Sequence, residues 1–347
     1  MDNLTHSLTG AVAAKLLETT FPTVAGESSA HRKKFWLLVS SANIPDLDVV
    51  LGLLGDPIFS IQHHRGITHS LLFAPLLALL SAMMFFKLGR LKDFKTLWVY
   101  GLLGVWLHIF FDLITPFGTQ LLAPFSAARF SLDLMFIIDP FFTAILGLTL
   151  LFGKALKSRR RPFLFGGITF AGLYLLLEVF NHHRAYQRIE TALQRDGIAA
   201  TKISAFPQPL SIFRWMGLAQ TESGVAQVFF SLLNEEHHWQ FIHYQNANDE
   251  FVAQALQAPE TQWYLAFARH PWIISERRGE MQVVEVQDLQ FSIDKRLLQT
   301  VGIPIPERQP PFLFRYMVAL NNGSVEIMFN GKMARGKEIG PPASSAQ

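Results

Sequence analysis

Apolar residues gather into blocks in the first half of the chain and thin out in the second. Blocks at 35–54, 67–86, 96–114, 132–152 and 162–181, with a weaker one at 4–21, approach the ~20 residues that cross a bilayer as a helix. From Ala185 onward the pattern changes. Residues 185–194 predict a helix stopped at Asp196-Gly197. Runs at 212–220, 225–232, 238–244, 281–293, 312–320 and 325–329 are rich in aromatic and branched residues and predict strands, with Asn321-Asn322-Gly323 as a hairpin turn. Helices are expected between them at 249–257 and 261–270. The expected architecture is a polytopic α-helical membrane domain of five to six spans over 1–181, a soluble α+β domain over 182–335 and a disordered tail over 336–347.

Charge then orients the blocks. Arg32, Lys33 and Lys34 precede the block at 35–54; Lys87, Arg90, Lys92 and Lys95 follow the one at 67–86; Lys154, Lys157, Arg159, Arg160 and Arg161 follow the one at 132–152. Basic residues mark cytoplasmic loops, so these are placed inside a bacterial cytoplasmic membrane and the C-terminal domain outside. With six spans both termini lie outside; if 4–21 is instead an amphipathic surface helix, five remain. Asp2 and His6 stand where a signal peptide carries basic residues, so no removable signal is expected.

Composition narrows the chemistry. The 347 residues are 50% hydrophobic and contain 31 Phe and no Cys, which leaves His and carboxylates as metal ligands. The net charge of +3 comes with basic residues confined to short loops, so nucleic acid is not an expected partner. Ionisable groups inside apolar segments are costly and mark function. His108 and Asp112 are four apart, on one face of a helix. Pro45 disturbs the backbone before Asp46 and Asp48, allowing both carboxylates to turn inward. His64 and His69 flank the start of their block with Arg65 between them; Asp133 and Asp139 lie in the block at 132–152, where Asp139 before Pro140 is either a cap or a ligand. With the loops placed as above, all of these and His6 fall towards the outer face. Such a donor set suits two or three divalent ions, zinc first and manganese or iron after it. His182, His183, His237 and His238 are read as surface or structural residues.

Met1-Asp2-Asn3-Leu4-Thr5-His6 with Gly10, Pro45-Asp46-Leu47-Asp48, His64-Arg65-Gly66-Ile67-Thr68-His69-Ser70 and the stretch from His108 through Asp112 to Gly118 together resemble the YdjM-like family of membrane-bound, metal-dependent hydrolases over the first half of the chain. A more distant likeness is to zinc-dependent phospholipase C and the P1-type nucleases. It implies His6 as an early ligand, Asp46 or Asp48 next, then His64 or His69, then His108 with Asp112 as a bridging carboxylate. Further ligands of those enzymes have no His counterpart here, so Asp133 and Asp139 would have to substitute.

The resulting expectation is an integral membrane metal-dependent hydrolase of a phosphoester, in a lipid or lipid-linked molecule, at the outer face of the membrane. The metal set is His6, Asp46, Asp48, His64, His69, His108, Asp112 and Asp139. Arg65, clamping a phosphate oxygen, and Asp112 are the catalytic candidates. A metal-stabilised scaffold is the alternative. A divalent-cation transporter fits less well, since it calls for a midplane site and repeated halves.

Overall fold

The computed structural model describes residues 1–21, 28–49, 63–89, 93–234, 239–300, 312–330 and 332–337. They form two compact units, one built from the described residues within 1–49, 63–183 and 209–212, the other from those within 184–208 and 213–337.

The first unit is helical: α1 (Asn3–Thr20), α2 (Ser28–Ser41), α3 (Ala74–Gly89), α4 (Phe94–Leu113), α5 (Pro140–Ala155) and the first part of α6 (Arg160–Arg195). The expected five to six spans are not found. Among the described residues two helices are long and apolar enough to cross a membrane, Phe94–Leu113 and Lys157–Arg195, while Ala74–Lys87 and Pro140–Ala155 are apolar but shorter. The physical reason lies in the polar residues that interrupt the apolar blocks. The block at 35–54 stops being helical at Ser41 and passes into a 3-10 turn, Ile44–Leu47, at Pro45; its end, 50–54, lies outside the described residues. The block at 67–86 opens with another 3-10 turn, Ile67–His69, and becomes an α-helix only at Ala74. In the block at 132–152 the helix begins at Pro140, with Asp139 as its cap. The segment at 4–21 is helical but carries Lys15 and Glu18 in an ion pair of 2.8 Å.

Small residues set how closely these helices pack. A Cβ on Gly104 of α4 would lie 2.7 Å from Ser41 Cβ and 2.8 Å from Leu38 O, and one on Gly10 of α1 would lie 3.0 Å from Val39 Cα. Both α1 and α4 therefore lie against α2 with almost no side chain between, which brings His6, His108 and the end of α2 together. Elsewhere the unit is filled by apolar contacts, including Val12, Phe111, Met135, Phe142, Leu146 and Tyr174. Large apolar side chains such as Leu80, Leu151, Phe170 and Leu176 remain more than half exposed, a surface suited to lipid.

In the second unit, β1 (Lys202–Pro207), β2 (Arg214–Gln220), β3 (Gly224–Ser231) and β4 (Ile242–Gln245) form one antiparallel sheet in chain order. After α7 (Glu250–Gln257) and α8 (Pro259–Phe267), β5 (Pro271–Arg278) and β6 (Met281–Asp288) open a second. It continues beyond the short α9 (Lys295–Thr300) with β7 (Phe314–Ala319), β8 (Val325–Phe329) and β9 (Lys332–Lys337), also antiparallel. Ala185, Ile189 and Leu193 of α6 pack on Ala205, Trp215 and Val228 of the first sheet. The helix expected at 185–194 is thus the end of a 36-residue helix. Of the expected tail, residues 336 and 337 belong to β9 and the rest lies outside the described residues, as do His237 and His238.

Candidate metal centre

The site is assembled where two 3-10 turns meet the end of one helix and the start of another. The turn after α2 carries Asp46 and, at its end, Asp48. The turn before α3 carries His69 and is preceded by His64 and Arg65, whose positive φ of 55° bends the chain back. The last turns of α4 supply His108 and Asp112, and α1 supplies His6 near its start.

Asp48 organises its surroundings. Its Oδ2 accepts the Arg65 backbone N–H at 3.0 Å and the Thr68 hydroxyl at 2.9 Å, and its Oδ1 lies 3.0 Å from His64 Nδ1. Burial would raise its carboxyl pKa, but the hydrogen bond from His64 and the neighbouring imidazoles outweigh it, and the pKa falls below the usual value.

The centre is formed by His69 Nε2, His108 Nε2, Asp46 Oδ1 and Asp112 Oδ2. The two nitrogens are 3.0 Å apart; His69 lies 3.5 Å from Asp46 and 3.1 Å from Asp112, and His108 lies 3.5 Å and 3.4 Å from the same oxygens. Four ligands held tetrahedrally at zinc distances would be separated by about 3.3–3.5 Å. The observed separations scatter around that value.

Hydrogen counting leads to the same conclusion. His108 Nδ1 is 2.8 Å from Ala42 O, an acceptor only, so Nδ1 carries the hydrogen and Nε2 of the neutral ring is bare. The single hydroxyl hydrogen of Thr68 goes to Asp48, so the 2.9 Å contact between Thr68 Oγ1 and His69 Nδ1 requires the hydrogen on Nδ1. Nε2 of His69 is then bare too. Two lone pairs face each other between two carboxylates, and Asp112 Oδ2 makes no well-formed hydrogen bond. A cation satisfies all four atoms at once. A second group, Asp46, Asp48 and His64, can also hold an ion, and Asp46 belongs to both.

Around this core, His6 Nε2 is 3.2 Å from Asp112 Oδ1 and its ring stacks on His108 at 3.8 Å. Burial above all pushes its pKa down to about 4, so it is neutral at physiological pH. The α-amino group of Met1 also contacts Asp112 Oδ1. At Asp46 burial raises the carboxyl pKa, but the neighbouring His108 and His69 outweigh it and the pKa falls below the usual value.

Two expected roles change. Arg65 is buried, with Nε 3.0 Å from Asp112 Oδ2 and Nη1 bonded to Thr115 Oγ1 at 2.8 Å and to Asp112 O at 3.3 Å. It holds Asp112 in place, where a phosphate clamp would need these donors for substrate. Asp139 does not reach the cluster, because Oδ1 accepts the Phe142 N–H at 2.8 Å and Oδ2 the Tyr174 hydroxyl at 2.7 Å. Asp133 accepts from Ser131 Oγ at 2.8 Å and also lies outside both groups. Thr68, Thr115 and the Ala42 carbonyl were not candidates from sequence, although Thr68, between His64 and His69, and Thr115, between Asp112 and Gly118, stood inside recognised motifs. Arg129 was missed as well; its Nη1 bonds His64 O at 3.2 Å and Gly118 O at 3.3 Å.

The residues that build this centre all fall within 1–185, the stretch that matches the YdjM inner membrane protein family. Over 179 residues the chain is 30% identical to the uncharacterized protein YfhP of Bacillus subtilis (strain 168), an alignment covering 51% of each chain, so this chain spans about half the length of that relative. No solved structure matches. With more than half of its length matched, and with the centre inside the matched part, the chain belongs to the YdjM inner membrane protein family.

Proposed function

We propose that the chain is a membrane-bound, metal-dependent hydrolase that cleaves a phosphoester in a lipid or lipid-linked molecule. The observation that carries this reading is the convergence of His69 Nε2 and His108 Nε2, 3.0 Å apart, with the carboxylates of Asp46 and Asp112. Those four would hold one divalent ion, zinc first by donor type and manganese or iron after it, and Asp46, Asp48 and His64 a second. A bound divalent ion supplies Lewis acidity and lowers the pKa of water towards neutrality. The chain's own part is to fix the imidazoles through Ala42 O and Thr68, to hold Asp112 with Arg65, and to admit substrate beside His64, whose side chain is 24% exposed.

Lys95 stands at the start of α4, and Lys157, Arg159, Arg160 and Arg161 at the start of the other long apolar helix. The positive-inside rule assigns these ends to the cytoplasm, so the far end of α4, with His108 and Asp112, faces outward and a lipid headgroup reaches it laterally.

The second reading is a metal-stabilised scaffold. It is favoured by the side chains of His69, His108 and Asp112, which are 0% exposed, as in closed structural sites. Metal analysis of the detergent-purified protein, followed by assay of phosphoester and phospholipid substrates, separates the two. Metal with turnover supports the hydrolase; metal without turnover on any substrate supports the scaffold.

A further inference from the structure

Apart from the metal cluster, the apolar segment 162–181 contains one charged residue, Glu178. It is 2% exposed, and its Oε2 makes no hydrogen bond. The groups that face it are the Asp139 carboxylate and the Tyr174 phenol. Tyr174 precedes Glu178 by four residues, on the same face of α6.

The hydrogens of this trio can be counted. Tyr174 has one, and it lies on the 2.7 Å bond to Asp139 Oδ2. Asp139 accepts a second from the Phe142 N–H at the start of α5, where the helix dipole favours an anion. Asp139 is therefore the ionised partner, and neither neighbour has a hydrogen to give Glu178. An ionised Glu178 would be a second negative charge beside the first, in an apolar segment. A hydrogen on Glu178 removes that charge and supplies a donor for the phenol oxygen.

We propose that Asp139, Tyr174 and Glu178 form a proton-binding site separate from the metal cluster, in which Glu178 carries the proton and Tyr174 links it to the Asp139 carboxylate. No residue is shared with the metal groups, so the site stands or falls independently of the hydrolase reading. Ionisable groups placed this way in apolar helices are costly and mark function, proton relays among the roles they serve.

Infrared difference spectroscopy on the full-length detergent-purified protein at neutral pH tests it. Wild type minus Glu178→Gln should contain the C=O band of one neutral carboxyl group, moving to lower frequency in heavy water. A difference spectrum with carboxylate bands only would overturn the proposal, whether the site then holds an ion or nothing. Should Glu178→Gln fail to fold, Tyr174→Phe gives the second test. The neutral carboxyl band should persist but rise in frequency as its acceptor is lost. An unmoved band, or no such band in either protein, would overturn it.

Discussion

At the scale of single residues, the centre depends on which nitrogen of each imidazole carries its hydrogen. Thr68 decides this for His69, so Thr68→Val should weaken metal binding by about 10–100-fold, the usual cost of losing a partner that orients a ligand. Competition with a chelator measures it, and unchanged affinity would mean that His69 is oriented otherwise. His270 in the second unit gives a pH dependence of its own. Burial, then Lys202 and Arg269, pushes its pKa down to about 3, and Ser204 Oγ lies 2.9 Å from its Nε2. The unfolded chain takes up a proton on this residue near its ordinary value of 6.5, and the folded chain only near 3. Stability of the unit is therefore full above that ordinary value and falls as pH drops through the window, with a slope of at most about 1.4 kcal/mol per pH unit. Urea unfolding of the full chain across that range should show a shallower pH dependence for His270→Gln than for wild type; equal slopes would count against the assignment.

Secondary-structure elements show how sequence signals held up and where they failed. His108 and Asp112 are legible at four-residue spacing because α4 is a regular helix through both. Asp46 and Asp48 could be grouped only because Pro45 signalled a break, and the 3-10 turn at Ile44–Leu47 is that break. Apolar content alone hid the break at Ile67–His69, a 3-10 turn of which only His69 is buried, because the apolar block runs on without interruption after it. The strands β1, β5 and β9 were missed: β1 reads Lys-Ile-Ser-Ala-Phe-Pro, β5 opens on Pro271 and closes on Arg277-Arg278, and β9 reads Lys-Met-Ala-Arg-Gly-Lys, none a clear run of branched or aromatic residues. Glu178 was available as the lone acid of its segment. Asp139 was a ligand or a cap by sequence, and the cap reading has its own test. Asp139→Ala should destabilise the start of α5 by about 1 kcal/mol, the usual cost of losing an N-cap, and leave bound metal unchanged. Loss of metal in that variant would restore Asp139 to the ligand set. Close packing makes the opposite prediction for Gly104→Val, whose added atoms collide with Ser41 and Leu38 O. That variant should lose metal as α4 and α2 separate, and melting temperature together with metal content would show it.

For the molecule as a whole, the apolar and polar halves were visible in the sequence, but the number of crossing helices was not. Length and hydropathy of a block do not reveal that an Asp or Pro inside it ends the helix. Orientation is open to a direct check, because the chain contains no Cys. A cysteine placed at Arg160 should resist an impermeant thiol reagent in intact cells, and one placed at Gln120 should react; the reverse labelling would place the centre at the cytoplasmic face. The central claim, that His69, His108, Asp46 and Asp112 surround a divalent cation, is tested most directly by metal stoichiometry. Full-length protein purified in detergent should carry at least one divalent ion per chain. Asp112→Asn, which keeps the shape of the side chain but removes its charge, should be recovered folded and without that ion. Wild type that stays metal-free after incubation with zinc, manganese or iron, or Asp112→Asn that keeps its full complement, would contradict the account.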